Sequence, residues 1–159
     1  MDRINWEEYF IEITKLVAQR SSCLSRQVGA ILVKGKRILA TGYNGSPSKI
    51  ENCIEKGGCL RKGSKSGQNL NECMAVHAEM NAILQCAKIG VSCEDATLYV
   101  TTKPCASCMK AIIQSGIIKV IYIEDYDSPL TDKLVELSGI KCIQYKENKE
   151  KNKGEDINE

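Results

Sequence analysis

The feature that most constrains this chain's fold is a demand shared by side chains far apart in sequence. His77, the only histidine, stands two residues before Glu79, and Pro104-Cys105-Ala106-Ser107-Cys108 follows downstream. One imidazole and two thiols suit a catalytic zinc, which takes three protein ligands and keeps a fourth position for water. The metal lowers the pKa of that water toward about 7. A carboxylate alongside, Glu79, then shuttles protons, and it must stay free of the metal to do so. Any fold for this chain has to bring residue 77 against residues 105 and 108.

Spacing suggests how. Cys105 and Cys108 are i and i+3, so on a helix they share a face. Pro104 suits the helix entry, where its missing N–H has no partner to lose. Thiolates in a first turn gain from the positive end of the helix dipole. His77 and Glu79, at i and i+2, converge only near a helix tip. The metal is therefore expected between the N-termini of two helices. Taken alone, C-x-x-C also suits a thioredoxin-like redox pair, and a lone histidine suits a structural role. The two halves together, in this order, favour the metal.

Composition narrows the class. A chain of 159 residues fits one domain. Hydrophobic residues at 43% and charged residues at 26% are globular values. With one Trp, one Phe and six Tyr, the core must be mostly aliphatic. A net charge of +2 gives no footprint for nucleic acid. No signal peptide and no bilayer-length apolar run is visible, so no membrane partner is expected. Nine cysteines without an export signal point to a reducing cytoplasm and thiolate–metal sites rather than disulfides.

Along the chain, residues 4–20 read as an amphipathic helix through Ile4, Trp6, Tyr9, Phe10, Ile13, Leu16 and Val17. Such a helix packs on a sheet or binds a partner. Val28 to Val33 and Arg37 to Tyr43 form a hairpin around Lys34-Gly35-Lys36. Glycines in Gly42-Tyr43-Asn44-Gly45-Ser46-Pro47 permit positive φ or close approach to a ligand, or mark an ordinary turn. Residues 48–75 are a long Gly-rich irregular insertion holding Cys53, Cys59 and Cys73. A helix is expected from about Met74 to Lys88, with Ala82, Ile83, Leu84 and Ala87 as its apolar stripe. A strand at 96–101 leads into the Cys105 helix. Ile117 to Ile123 reads as a strand covered on both faces, Leu130 to Ser138 as a helix, and Ile140 to Tyr145 as a last strand. The domain is thus 1–145, with a charged, disordered tail at 146–159. Strands alternating with helices predict a three-layer α/β/α fold with a mixed sheet of roughly five strands.

Four stretches carry a resemblance: Ser25-Arg26-Gln27-Val28-Gly29-Ala30, Thr41 to Pro47, His77 to Ile83, and Thr101 to Cys108. The last two match the H-x-E and P-C-x-x-C signature of zinc nucleobase deaminases. Together the four resemble the deoxycytidylate deaminase family of the cytidine deaminase-like fold, in its bacterial and phage form. The resemblance implies hydrolysis of dCMP to dUMP and ammonia, feeding thymidylate synthesis. It implies His77, Cys105 and Cys108 as zinc ligands and Glu79 as the catalytic acid/base. It also implies Asn44 on the sugar or base, the backbone at Ala78 on the pyrimidine edge, and Tyr126 near the phosphate. Family resemblance further implies a homo-hexamer, dCTP (with Mg2+) as activator and dTTP as inhibitor. Some phage members hold a structural zinc with cysteines at positions resembling Cys23 and Cys53. Their histidine and glutamate ligands are missing here, and Cys59 and Cys73 lie in the right segment to replace them in a four-thiolate site. Cys86, Cys93 and Cys142 read as packed free thiols. Rival readings are a deaminase of tRNA adenosine or of another cytosine nucleoside or nucleotide, and a zinc-stabilised regulatory protein without catalysis. The balanced charge argues against the tRNA reading, and the spare Glu79 argues against the regulatory one.

Overall fold

The computed structural model describes residues 2–147. Helix α1 spans Trp6–Ala18, and strands β1 and β2 span Gly29–Lys34 and Arg37–Tyr43. Helix α2 spans Ala78–Ile89, β3 Thr97–Thr102, α3 Ala106–Gln114, β4 Lys119–Glu124, α4 Pro129–Ser138 and β5 Lys141–Gln144. The sheet order is β2-β1-β3-β4-β5. β1 runs antiparallel to β2 and β3, while β3, β4 and β5 run parallel. This is the mixed five-stranded α/β/α fold that the alternation of elements predicts.

Period-two alternation splits the core. Ile31 and Val33 of β1, Tyr99 of β3 and Ile121 of β4 pack with Phe10 and Ile11 of α1. Ala30, Leu32, Leu98, Val100 and Val120 face the other way, onto Ala82 and Cys86 of α2 and Met109 and Ile112 of α3. Both faces of β1 are covered, which is why five consecutive residues of it are buried. Gly29 lets α1 settle on this sheet, because a Cβ there would overlap the Thr14 carbonyl and the Ala18 backbone.

Three local expectations are corrected. In α1 the buried residues are Phe10, Ile11, Thr14 and Ala18, while Trp6, Tyr9 and Leu16 are exposed. Apolar residues wrap most of that helix, so periodicity could not choose a face. In α2 the stripe is Ala78, Glu79, Ala82 and Cys86, with Leu84 exposed. The helix also starts at Ala78 rather than Met74, because Val76 pairs as an antiparallel bridge with Gly45. Two backbone bonds close that bridge, at 2.8 and 3.2 Å. Cys86 and Cys93 are buried thiols and Cys142 is half-buried. The expected tail at 146–159 lies outside the described residues apart from Lys146 and Glu147. No helix among the described residues is long and apolar enough to cross a membrane.

Candidate active site

The site is built where two helices begin. His77 is the N-cap of α2, in extended backbone at φ −67° and ψ 153°. Cys105 is the N-cap of α3 at φ −69° and ψ 166°. Their carbonyls accept the first helical bonds, from Asn81 and Met109, both at 2.9 Å. Pro104 therefore stands one residue before the cap rather than at the first helical position, and Cys108 lies in the first turn of α3. β3 ends at Thr102 and delivers Cys105 to the C-terminal edge of the sheet, where open α/β sheets place their sites.

The three donors converge. Cys105 Sγ lies 3.6 Å and Cys108 Sγ 3.4 Å from His77 Nδ1. All three ligating atoms fall within 4.8 Å of one another, and no other such group of three occurs among the described residues. The donor set, one imidazole nitrogen and two sulfurs, fits zinc, and Glu79 stands outside it as the residue types require.

Electrostatics separate the roles. The Cys105 thiol is lowered to about 4, chiefly by the hydrogen bond from Cys108 and further by His77. Cys108 is raised for the complementary reason, so the pair shares a proton and Cys105 is the readier thiolate. His77 is raised by its bond to Cys105, against burial and against the positive charge of Arg61. Glu79 is 4% exposed, and burial pushes its carboxyl up to about 7. An acid poised there both holds and surrenders a proton near neutrality.

His77, Glu79 and Cys105 open into one cavity of about 320 Å³, also lined by Asn44, Ala78, Tyr126 and Arg61. A family profile described as the cytidine and deoxycytidylate deaminase zinc-binding region matches residues 4–124. The chain belongs to that family. A deoxycytidylate deaminase of Schizosaccharomyces pombe is 42% identical over 90% of this chain, which spans only 45% of that longer protein. The deoxycytidylate deaminase of Enterobacteria phage T4 is 38% identical, over 94% of this chain and 95% of its own. Among solved structures, the dCMP deaminase of cyanophage S-TIM5 in complex with dCMP and dUMP superposes with a TM-score of 0.76 at 32% identity. That match covers 91% of this chain and all of the phage one.

The other family-implied positions fare differently. Ala78 is fully buried and Tyr126 half-buried in the cavity wall. Asn44 is buried and its amide is already engaged. Its Oδ1 accepts from Val28 N–H at 2.9 Å and from the Ser21 hydroxyl, and its Nδ2 donates to the Arg26 carbonyl at 2.8 Å. It thus shapes the 26–28 wall as well as facing the cavity. Neither Gly42 nor Gly45 has a left-handed φ. The close approach at Gly42 is to protein, since a Cβ there would overlap the Ala78 carbonyl at the tip of α2.

The four thiols Cys23, Cys53, Cys59 and Cys73 are half-buried neighbours, yet no three of them meet the 4.8 Å spacing. Cys53 is raised first by burial and then by the charges of Cys59, Cys23 and Cys73. The expected four-thiolate cluster is therefore not closed.

Two supporting residues escaped the sequence. Thr131, fully buried, donates its hydroxyl to the Pro104 carbonyl at 3.1 Å and bonds Ser128 Oγ at 2.8 Å. Lys103 pairs with Asp132 at 2.7 Å and Asp125 at 3.5 Å. The helix from about Leu130 to Ser138 was legible, but its docking under the Cys105 turn was not.

Proposed function

We propose that the chain hydrolyses dCMP to dUMP and ammonia. The observation that carries this reading is a buried carboxyl poised near neutrality beside a His-Cys-Cys donor set in one nucleotide-sized cavity. The family membership, and relatives named for this activity, support it.

His77, Cys105 and Cys108 would hold the zinc, which when bound supplies Lewis acidity toward a water. Glu79 accepts a proton from the attacking water and passes it to the ring nitrogen next to C4. It then takes the second proton from the new C4 hydroxyl, which becomes the carbonyl, and delivers it to the departing amine, so that a C–O bond forms, the C4–N bond breaks and ammonia leaves. Burial of Glu79 keeps bulk water from short-circuiting this relay. The backbone at Ala78 would meet the pyrimidine edge, Asn44 the sugar or base, and Tyr126 the phosphate side.

Finer parts of the reading rest on the motif resemblance. They are a hexamer, activation by dCTP with Mg2+, inhibition by dTTP and supply of dUMP for thymidylate synthesis; residence in a reducing cytoplasm rests instead on the nine cysteines. A second zinc on Cys23, Cys53, Cys59 and Cys73 is part of the same reading; burial chiefly raises the Cys53 thiol, and the other three thiols lie near enough to add to that rise. Metal content by mass spectrometry, with ammonia release measured on the same sample, tests the whole. Zinc with turnover of dCMP in preference to cytidine, deoxycytidine and an adenosine-bearing stem-loop is the expected result. One zinc per chain removes only the four-thiolate site, and turnover confined to an unphosphorylated nucleoside defeats the nucleotide reading.

A further inference from the structure

The cysteine-rich insertion does more than sit beside the cavity. Arg61, Ser64 and Gly67 line it together with His77 and Glu79. Three cations face this space: Arg26, Arg61 and Lys103. They are not equivalent. Lys103 is already paired with Asp132 and Asp125, whereas neither arginine pairs with a carboxylate among the described residues. Arg26 is exposed, and its side chain makes no hydrogen bond among the described residues. Arg61 is half-buried and tethered. Its Nε donates to the Gln68 carbonyl at 2.8 Å, and its Nη2 reaches the Lys65 carbonyl at 3.5 Å. Those bonds fix the guanidinium yet leave Nη1, and one hydrogen on Nη2, to donate. Ser64 Oγ accepts from Asn69 Nδ2 at 2.9 Å, which leaves its own proton for an acceptor. A Cβ on Gly67 would come 3.1 Å from the Tyr126 hydroxyl, so the loop rests against the residue implicated at the phosphate side.

We propose that Arg61, presented by the insertion, is the specificity-determining residue that makes this pocket take a nucleoside 5′-monophosphate rather than a nucleoside. The inference rests on the deaminase reading above. A phosphomonoester dianion meets a preorganised, unneutralised guanidinium, with the Ser64 hydroxyl as a neighbouring donor. A nucleoside leaves that cation without its partner, so the contact favours the phosphorylated ligand alone. Pinning the side chain beforehand reduces the entropy lost when the ligand binds.

The test is steady-state kinetics of the zinc-loaded full chain on dCMP and deoxycytidine, for the parent, Arg61→Ala, Arg61→Lys and Arg26→Ala. In Arg61→Ala the ratio of kcat/KM for dCMP over deoxycytidine should fall by about 10- to 150-fold, through KM for dCMP. Arg61→Lys should recover part of the ratio, since it restores charge without the fork. Arg26→Ala should lower it less. Remaining deoxycytidine turnover reports that each variant is folded. A parallel loss on both substrates, or a ratio that collapses in Arg26→Ala and survives in Arg61→Ala, overturns the assignment. If the parent itself shows no preference for dCMP, the nucleotide reading fails and this inference falls with it. If the parent prefers dCMP and Arg61→Ala keeps that preference, only the inference fails.

Discussion

The paired helix tips and the insertion at 48–75 meet in one cavity, yet they are built by opposite means. Around the tips, Ala78, Ala82, Cys108, Met109 and Ile112 are at most 3% exposed, and each ligand position is set by a helix packed on the sheet. The insertion is mostly exposed, with Ile54 and Leu60 open to solvent. It is held by turn bonds such as Lys62 N–H to Cys59 O and Gln68 N–H to Lys65 O, both 3.0 Å. The contrast follows the work. Reacting groups tolerate misplacement of a fraction of an ångström, which only a packed framework guarantees. Phosphate recognition is long-range and survives on a loop of modest local stability.

The largest effect should come from separating the two. Glu79→Gln keeps the shape of the framework and removes the proton shuttle. We expect kcat on dCMP to drop by about 10²- to 10⁴-fold with zinc content unchanged. Metal analysis and ammonia release on one sample check it. Comparable turnover in this variant would refute the role of Glu79 and erase the division between framework and loop. Arg61→Ala should act instead on KM.

The same buried acid gives the framework a pH signature that the exposed insertion lacks. In the zinc-free protein the folded Glu79 carboxyl titrates at about 7, against 4.5 for an ordinary glutamate. The folded state therefore binds the proton more tightly than the unfolded one. Stability is fully present below 4.5, declines as pH rises toward 7, and is flat beyond. Glu79→Gln abolishes that decline, and above pH 7 the variant should exceed the parent by roughly 3 kcal/mol. Urea melts of both zinc-free proteins across this range decide it. Parallel profiles would mean that Glu79 reaches water.

Legibility in the sequence follows the same divide. The convergence of His77, Cys105 and Cys108, with Glu79 alongside, was readable because metal chemistry dictates residue types and short spacings. The sheet was readable because its strands are apolar runs bounded by breakers. What was hidden depends on chain segments meeting across long separations. The Gly45–Val76 bridge moved the start of α2, and the Asn44 amide proved committed to the 26–28 backbone. In the insertion no periodicity exists to read, so the half-gathered thiols and the tethered Arg61 became visible only in three dimensions.

Glycines offer a direct comparison of the two regions. Gly42→Ala drives a methyl group into the backbone at the tip of α2, which has no free space to move. A loss of about 1–3 kcal/mol is expected. Gly58 in the insertion has nothing within 4 Å and no left-handed φ. Gly58→Ala should leave stability within about 0.5 kcal/mol of the parent. Chemical denaturation of the pair measures the difference. Equal effects would show that the insertion is packed as tightly as the core.

A substitution away from the ligand positions tests how far the framework extends. Thr131 belongs to α4, which makes no ligand contact, yet its hydroxyl holds the carbonyl of Pro104 immediately before Cys105. Thr131→Val keeps the volume and leaves that buried carbonyl unpaired, at a cost of about 1–2 kcal/mol. A purely structural role would end there. A positioning role predicts more: freed from its tether, the Cys105 turn should release zinc faster to a chelator, and Thr131→Ser should restore the parent rate. The dCMP-over-deoxycytidine ratio, assigned to the insertion, should stay put in both variants. Faster zinc release with an unmoved ratio places α4 with the helix tips. Destabilisation without faster release confines Thr131 to folding, and a shifted ratio would mean that the two regions are mechanically one.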